Sequence, residues 1–375
     1  MAPELNNGGK RDDGNIRNPT ISPVAPGEAV SDVKTQTMKV KPSRLHEEIV
    51  AFAAQLTPTA EEHGRCDAII ELVRKTCYET FGTQAQVEPF GSFVNGLATS
   101  SSDVDLVICG LLNPDSPGGF FGHKQVLAGQ HLRKLKEKLL ECPKMHIAHA
   151  QLIQHAKIPL LKFTTEDGVM VDLSINDDMG PKAARFMIEK VRQYPALRPL
   201  ALVLKAFLKA YHLGDVKDGG LGGFALANLL VAHIQETMKA GQPTADFGEL
   251  LLHFFDRYAN LFNPELQAVS VRMGGIVARY WVEHYGGGGR RGGRHGKTIR
   301  AVGNSYSPMF GEQWVVENPL TGLDVAQGSF NIYIVRELFG WACWTLKSVM
   351  HSRDGQKGTP GVSPLGLLFN RVVVE

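Results

Sequence analysis

Two stretches of the chain alternate strictly between apolar and polar positions, and both carry aspartate on the polar side. In DVDLVIC, residues 103–109, Val104, Leu106 and Ile108 fall on one face, and Asp103, Asp105 and Val107 on the other. A period of two is that of a strand with one face in a core. In GVMVDLSI, residues 168–175, Val169, Val171, Leu173 and Ile175 alternate with Met170, Asp172 and Ser174, which sets Asp172 mid-strand and opposite the core. Further strands are expected at 86–90 and 158–163. Helical spacing predicts a short amphipathic helix at 45–54. A second helix starts after Thr57-Pro58-Thr59 and runs to Phe81, with Ile69, Ile70, Val73, Cys77 and Phe81 on one face. A basic helix follows at 124–140.

From Gly180 onward the period changes to one near 3.6, through 185–192, 199–212, 224–239, 247–261 and 332–350. The expectation is an α+β chain: a mixed sheet with helices over 57–179, then a mainly helical part over 180–350, with a cleft between them. Residues 1–43, rich in Asn, Pro, Gly, Ser and Lys and without periodicity, read as a disordered tail, and 351–375 as a C-terminal extension. There is no internal repeat.

Composition narrows the class. With 375 residues, 43% of them hydrophobic, the chain can build two cores. Its five cysteines are odd in number and scattered, without a CxxC pair, which points to reduced thiols in an intracellular setting. No apolar run approaches a membrane span, and the N-terminus lacks a signal-peptide pattern. A formal net charge of +2 is low for a protein that must grip nucleic acid unaided.

The candidate chemistry gathers on the two strands. Asp103 and Asp105 lie on one face, roughly 7 Å apart along the strand. Their like charges repel unless a cation sits between them, and hard carboxylate oxygens suit Mg²⁺ or Mn²⁺. Gly91-Ser92, upstream of the pair, could bring backbone and hydroxyl close to phosphate oxygens. A lone DxD is more often a surface hairpin; the combination of Gly-Ser, a short polar loop and DVDLVI is much more specific. Three carboxylates from two adjacent strands are the set that two-metal phosphoryl transfer requires. Lys205 and Lys209, four apart in the apolar run LALVLKAFLKAYHL, share a helix face. They are read as holding an anion, with snorkelling at a cleft rim as the alternative. In YGGGGRRGGRHGKTIR, residues 285–300, Arg290, Arg291, Arg294 and Lys297 could hold RNA phosphates, or the segment is simply a solvated loop. His146, His149 and His155 lack a metal-binding arrangement and read as surface or core histidines.

The blocks GSFVNGLATSSSDVDLVI, KIPLLKF, VDLSIND, LRPLALVLKAFLKAYHLGDVKDGGLGGFALANLL, GELLLHFFDRYANLF and ENPLTGLDVAQGSFNI resemble, in order and spacing, the nucleotidyltransferases with a polymerase-beta-like palm. Within that superfamily the chain is most similar to the noncanonical poly(A) polymerases, or DNA polymerase sigma group. The GGLGGF and GSFNI blocks look most like the member that tails RNA in the nuclear TRAMP surveillance complex. The resemblance covers roughly 44–346. It implies a palm, a helical central domain on which the helix at 44–56 packs, and a nucleotide in the cleft between. It implies Asp103, Asp105 and Asp172 as catalytic metal ligands. It also assigns Lys205 and Lys209 to phosphate, Phe224 after Gly223 to stacking on the base, and Asp324 and Gln327 to the base edge. Leu323 and Gln327 stand where the family usually has Asn and Arg. The absence of histidine between Asn318 and Phe339 favours ATP over UTP.

The expected activity is template-independent addition of adenylate from ATP to RNA 3′ ends, as a polynucleotide adenylyltransferase with Mg²⁺ or Mn²⁺. A zinc-knuckle RNA-binding protein, an RNA helicase and a nuclear or nucleolar location are implied by the resemblance, and no membrane association is expected. The alternatives are a terminal uridylyltransferase, a catalytically silent scaffold, and a nucleotidyltransferase acting on proteins, antibiotics or free nucleotides.

Overall fold

A five-stranded mixed sheet forms the base of the first half of the structure, a computed structural model that describes residues 42–112, 123–156, 158–175, 178–280, 282, 313–350 and 362–370. The strands are β1 (Gln86–Phe90), β2 (Val104–Cys109), β3 (Ile147–Ile153), β4 (Leu160–Thr165) and β5 (Met170–Ile175). They lie in the order β1-β2-β5-β4-β3; β2 and β5 are parallel and the other pairs antiparallel. Alternation sends Val104, Leu106, Ile108, Leu161, Phe163, Val171, Leu173 and Ile175 to one face. There they form a core with Ile70 and Val73 of α2 (Ala60–Phe81) and Leu132 and Leu135 of α4 (His123–Leu140). Thr59 and Glu62 start α2 with a reciprocal capping box, which satisfies amides that the first turn leaves unpaired.

Three local expectations change. The strand expected at 158–163 runs two residues later. The polar loop expected after Gly91 begins with a five-residue helix, α3 (Gly91–Asn95). β3 was not foreseen: IAHAQLI lacks clean alternation, because an edge strand needs no fully buried face. Val107, on the aspartate side of β2, is itself buried, so that face is covered away from the acids.

The second core is helical. It gathers α5 (Met179–Gln193), α6 (Leu197–Ala210), α7 (Gly223–Lys239), α8 (Phe247–Asp256) and the helix Ile332–Met350, and takes in Leu45 and Ile49 of α1 (Arg44–Leu56). Aromatic side chains Phe207, Phe254, Phe255, Tyr258 and Phe339 pack edge to face within it. Ser43 fixes α1 to α8 by donating from its amide and hydroxyl to Asp246, at 2.7 and 2.8 Å. The helix expected over 247–261 changes form at Arg257, where the last turn widens into a π-helix (Arg257–Leu261). A small hairpin of β6 (Gln267–Ser270) and β7 (Gly275–Ala278) was also unforeseen.

The two cores meet along α5, which packs on α3 and β1, and along α6. Arg198 donates from Nε to the Gly96 carbonyl at 2.9 Å and from Nη2 to Thr57 Oγ1 at 3.0 Å. The segment between α3 and β2 is therefore tied to the helical half, and the space above it is the cleft. The segments 1–41 and 283–312, with most of the expected tail and the Gly/Arg stretch, lie outside the described residues, as does most of 351–375.

Candidate active site

One line of strand register crosses the whole sheet beneath the cleft. Phe90 is paired with Asp105, Asp105 with Asp172, Asp172 with Lys162, and Lys162 with Gln151. Registered neighbours point to the same face, so two acids and a lysine stand side by side. Asp103 precedes Asp105 by two residues and joins them. All four line a cavity of about 1000 Å³, together with Gly91, Ser92, Lys205, Lys209, Gly223 and Phe224.

The close packing depends on Gly91. Its φ is +69°, and a Cβ there would come within 2.0 Å of Asp105 Oδ2. A side chain would thus meet both backbone strain and the carboxylate. The electrostatics follow from crowding. Burial, then the neighbouring Asp172 and Asp103 carboxylates, push Asp105 up to about 7, although Lys205 and Lys162 oppose the shift. Asp103 is raised by burial and by Asp172, against Lys162 and Lys209. Lys205 is lowered to about 8, mainly by burial, with Asp105 pulling the other way.

Lys205 and Lys209 line the cleft as α6 spacing predicts, but their ammonium groups already have partners. Lys205 Nζ donates to the Leu97 carbonyl at 2.8 Å, and Lys209 Nζ to Ser101 Oγ at 2.9 Å. Both hold the segment that leads into Asp103. Phe224 is half-buried at the start of α7, packed on the helical core with one side to the cavity.

Asp324 and Gln327 are not among the residues lining the cavity. Asp324 Oδ1 accepts from the amides of Val316 and Ala326, at 3.0 and 2.9 Å, so its carboxylate closes the turn it sits in. The Gln327 carbonyl accepts from Gln313 Nε2 at 3.3 Å. The GSFNI block reaches the cleft indirectly: Asn331 donates from Nδ2 to the Asp218 carbonyl and from its amide to the Gly219 carbonyl. These two bonds fix the turn whose Asp215, Val216 and Lys217 line the cavity. Arg290, Arg291, Arg294 and Lys297 lie outside the described residues.

Lys162 was missed. Its signal was present in LLKFTT, where Leu161 and Phe163 point to the core and leave Lys162 on the aspartate face. Its ammonium is 2.6 Å from Asp172 Oδ2 and 3.9 Å from Asp103 Oδ2. Among the described residues no three His, Cys, Asp or Glu side chains converge as a ready-made metal site. The donor set nevertheless fits a hard divalent ion: three carboxylates on one cleft floor, two of them already gathered around a cation, here the lysine ammonium.

The polymerase core of TRAMP, an RNA surveillance complex, superposes with a TM-score of 0.66 at 24% identity, covering 87% of this chain and 93% of its own. That match shows the fold this chain shares with the TRAMP polymerase core. Residues 45–188 match the family model of the mitochondrial-like poly(A) RNA polymerase central palm domain, and residues 246–294 that of the Cid1 family poly A polymerase. Poly(A) RNA polymerase CID14 of Cryptococcus neoformans is 29% identical over 249 residues, 64% of this chain and 31% of its own length. Its Schizosaccharomyces pombe counterpart is 30% identical over 236 residues, 62% and 33% respectively. The chain thus spans about a third of the length of these curated relatives. It belongs to the noncanonical poly(A) polymerase family.

Proposed function

We propose that the chain is a template-independent nucleotidyltransferase that adds adenylate from ATP to the 3′ end of RNA. The observation that carries this reading is the alignment of Asp103, Asp105 and Asp172 on the floor of a cleft whose other wall offers Lys205, Lys209 and the Phe224 ring. The RNA 3′ oxygen attacks the α-phosphorus of ATP, the bond to the β-phosphate oxygen breaks, and pyrophosphate leaves. Mg²⁺ or Mn²⁺, when held by the three aspartates, would neutralise the triphosphate and acidify the attacking hydroxyl. Asp172, beside that hydroxyl, is the residue proposed to receive its proton. Lys205 and Lys209 would exchange Leu97 and Ser101 for phosphate oxygens, and Phe224 would stack on the adenine. Base choice lies with the cleft, and the lack of histidine between Asn318 and Phe339 supports ATP.

A role in RNA surveillance, in the nucleus and with a zinc-knuckle RNA-binding protein and an RNA helicase, belongs to the same proposal. The net charge of +2 supports it, since RNA affinity would then be borrowed from partners. The test is to incubate the chain with a 3′-hydroxyl oligoribonucleotide and each nucleoside triphosphate separately. Lengthening with ATP is expected. Lengthening with UTP alone would make the chain a uridylyltransferase, and lengthening with none would contradict the proposal.

A further inference from the structure

Lys162 takes no part in the reaction outlined above, yet it stands among the acids. It reaches from β4 over Asp172 on β5 to Asp103 at the entry of β2, so one ammonium links three strands. The three carboxylates repel one another, and the lysine supplies positive charge from within the chain. The contact is open to solvent: 43% of the Lys162 side chain and 40% of that of Asp103 are exposed, against 19% for Asp172. An ion pair so exposed is held loosely. Residue type matters as well. Lysine presents a point charge on a flexible stem, without the two-pronged grip that arginine has on a carboxylate, and can be withdrawn without dismantling a planar pair.

The geometry points to Lys162 as a positioning residue that stands in for the divalent ion: its ammonium holds Asp103 and Asp172 together on the cleft floor and yields them when the cation arrives. This rests on the three aspartates being the cation site of the proposed reaction. A divalent ion sets two charges against one and takes several carboxylate oxygens at once, so it displaces a half-exposed ammonium. The lysine would then keep the acids gathered without an ion, at the cost of competing with the ion for them.

The test uses Mn²⁺ alone with the full chain at low ionic strength, following free Mn²⁺ by electron paramagnetic resonance and melting temperature with and without the ion. Lys162→Met is expected to bind Mn²⁺ roughly fivefold to tenfold more tightly than wild type, the effect of removing one nearby like charge. It should melt lower than wild type without Mn²⁺ and match it at saturation. Lys162→Arg, which keeps the charge and grips the acids more firmly, should bind Mn²⁺ several-fold more weakly, and it decides the matter if Lys162→Met does not fold. Unchanged or weaker binding by Lys162→Met, or unchanged or tighter binding by Lys162→Arg, would overturn the inference while leaving the proposed function standing. If wild type binds Mn²⁺ no better than Asp105→Asn does, the cation site itself is wrong and both readings fall.

Discussion

Gly91 and Asp105 share a space that admits no further atom, and the site depends on that closeness. Gly91→Ala places a methyl against Asp105 Oδ2 in a left-handed backbone, a strain of about 1–2 kcal/mol. The expected outcome is a modestly lowered melting temperature with a roughly hundredfold loss of nucleotide addition, because a displaced acid is misplaced for reaction. Circular dichroism and an extension assay on the same preparation check both parts. Asp105 also carries a stability cost, since its carboxylate is buried beside two others. Without divalent ions at pH 8, Asp105→Asn is expected to be more stable than wild type by about 1–3 kcal/mol in urea unfolding. A less stable variant would mean that the charge is well compensated. The three aspartates and two α6 lysines were legible as strand phase and helix spacing. Asp324 and Gln327 came from resemblance alone, and no residue pattern could reveal that backbone amides claim Asp324 Oδ1.

Elements were legible where one face had to be buried. β2 and β5 show their period because Val104, Leu106, Ile108, Val171, Leu173 and Ile175 must enter one core. β3 does not, since an edge strand can carry His149 and Gln151 outward without cost. The widened turn after α8 was hidden too, because it is a single five-residue turn at the helix end, too short to show a period of its own. His233 of α7 is fully buried against α8: Nε2 donates to the Leu250 carbonyl, and Nδ1 accepts from Arg257 Nε, each at 3.0 Å. Burial, then Arg257, lower it to about 3, so the ring is neutral. Its ordinary value is near 6.5, so the unfolded chain takes up the proton first as pH falls. The stabilisation is present above pH 6.5 and is lost between 6.5 and about 3, at up to about 1.4 kcal/mol per pH unit. Urea unfolding at pH 7, 5 and 4 should show a shallower acid loss for His233→Gln than for wild type. Equal slopes would mean that other groups govern acid stability.

At the scale of the whole molecule, two cores meet along α5 and α6, and three cations of α6, Arg198, Lys205 and Lys209, hold the segment from Gly96 to Ser101. This convergence could not be read from the sequence, because both lysines look like free cleft cations until their partners are placed. Charge is the other global property. With a net +2, the isolated chain is expected to bind single-stranded RNA no more tightly than roughly micromolar at physiological salt. Filter binding over a salt series checks this, and nanomolar binding would contradict it. The central claim, that three acids on one cleft floor carry out nucleotide addition, is tested most directly by extension of an oligoribonucleotide with ATP and Mg²⁺, comparing wild type with Asp103→Asn, Asp105→Asn and Asp172→Asn. The account predicts tailing by wild type and a loss of about a thousandfold or more in each variant, with the fold retained. Tailing by any of the three at the wild-type rate would contradict it.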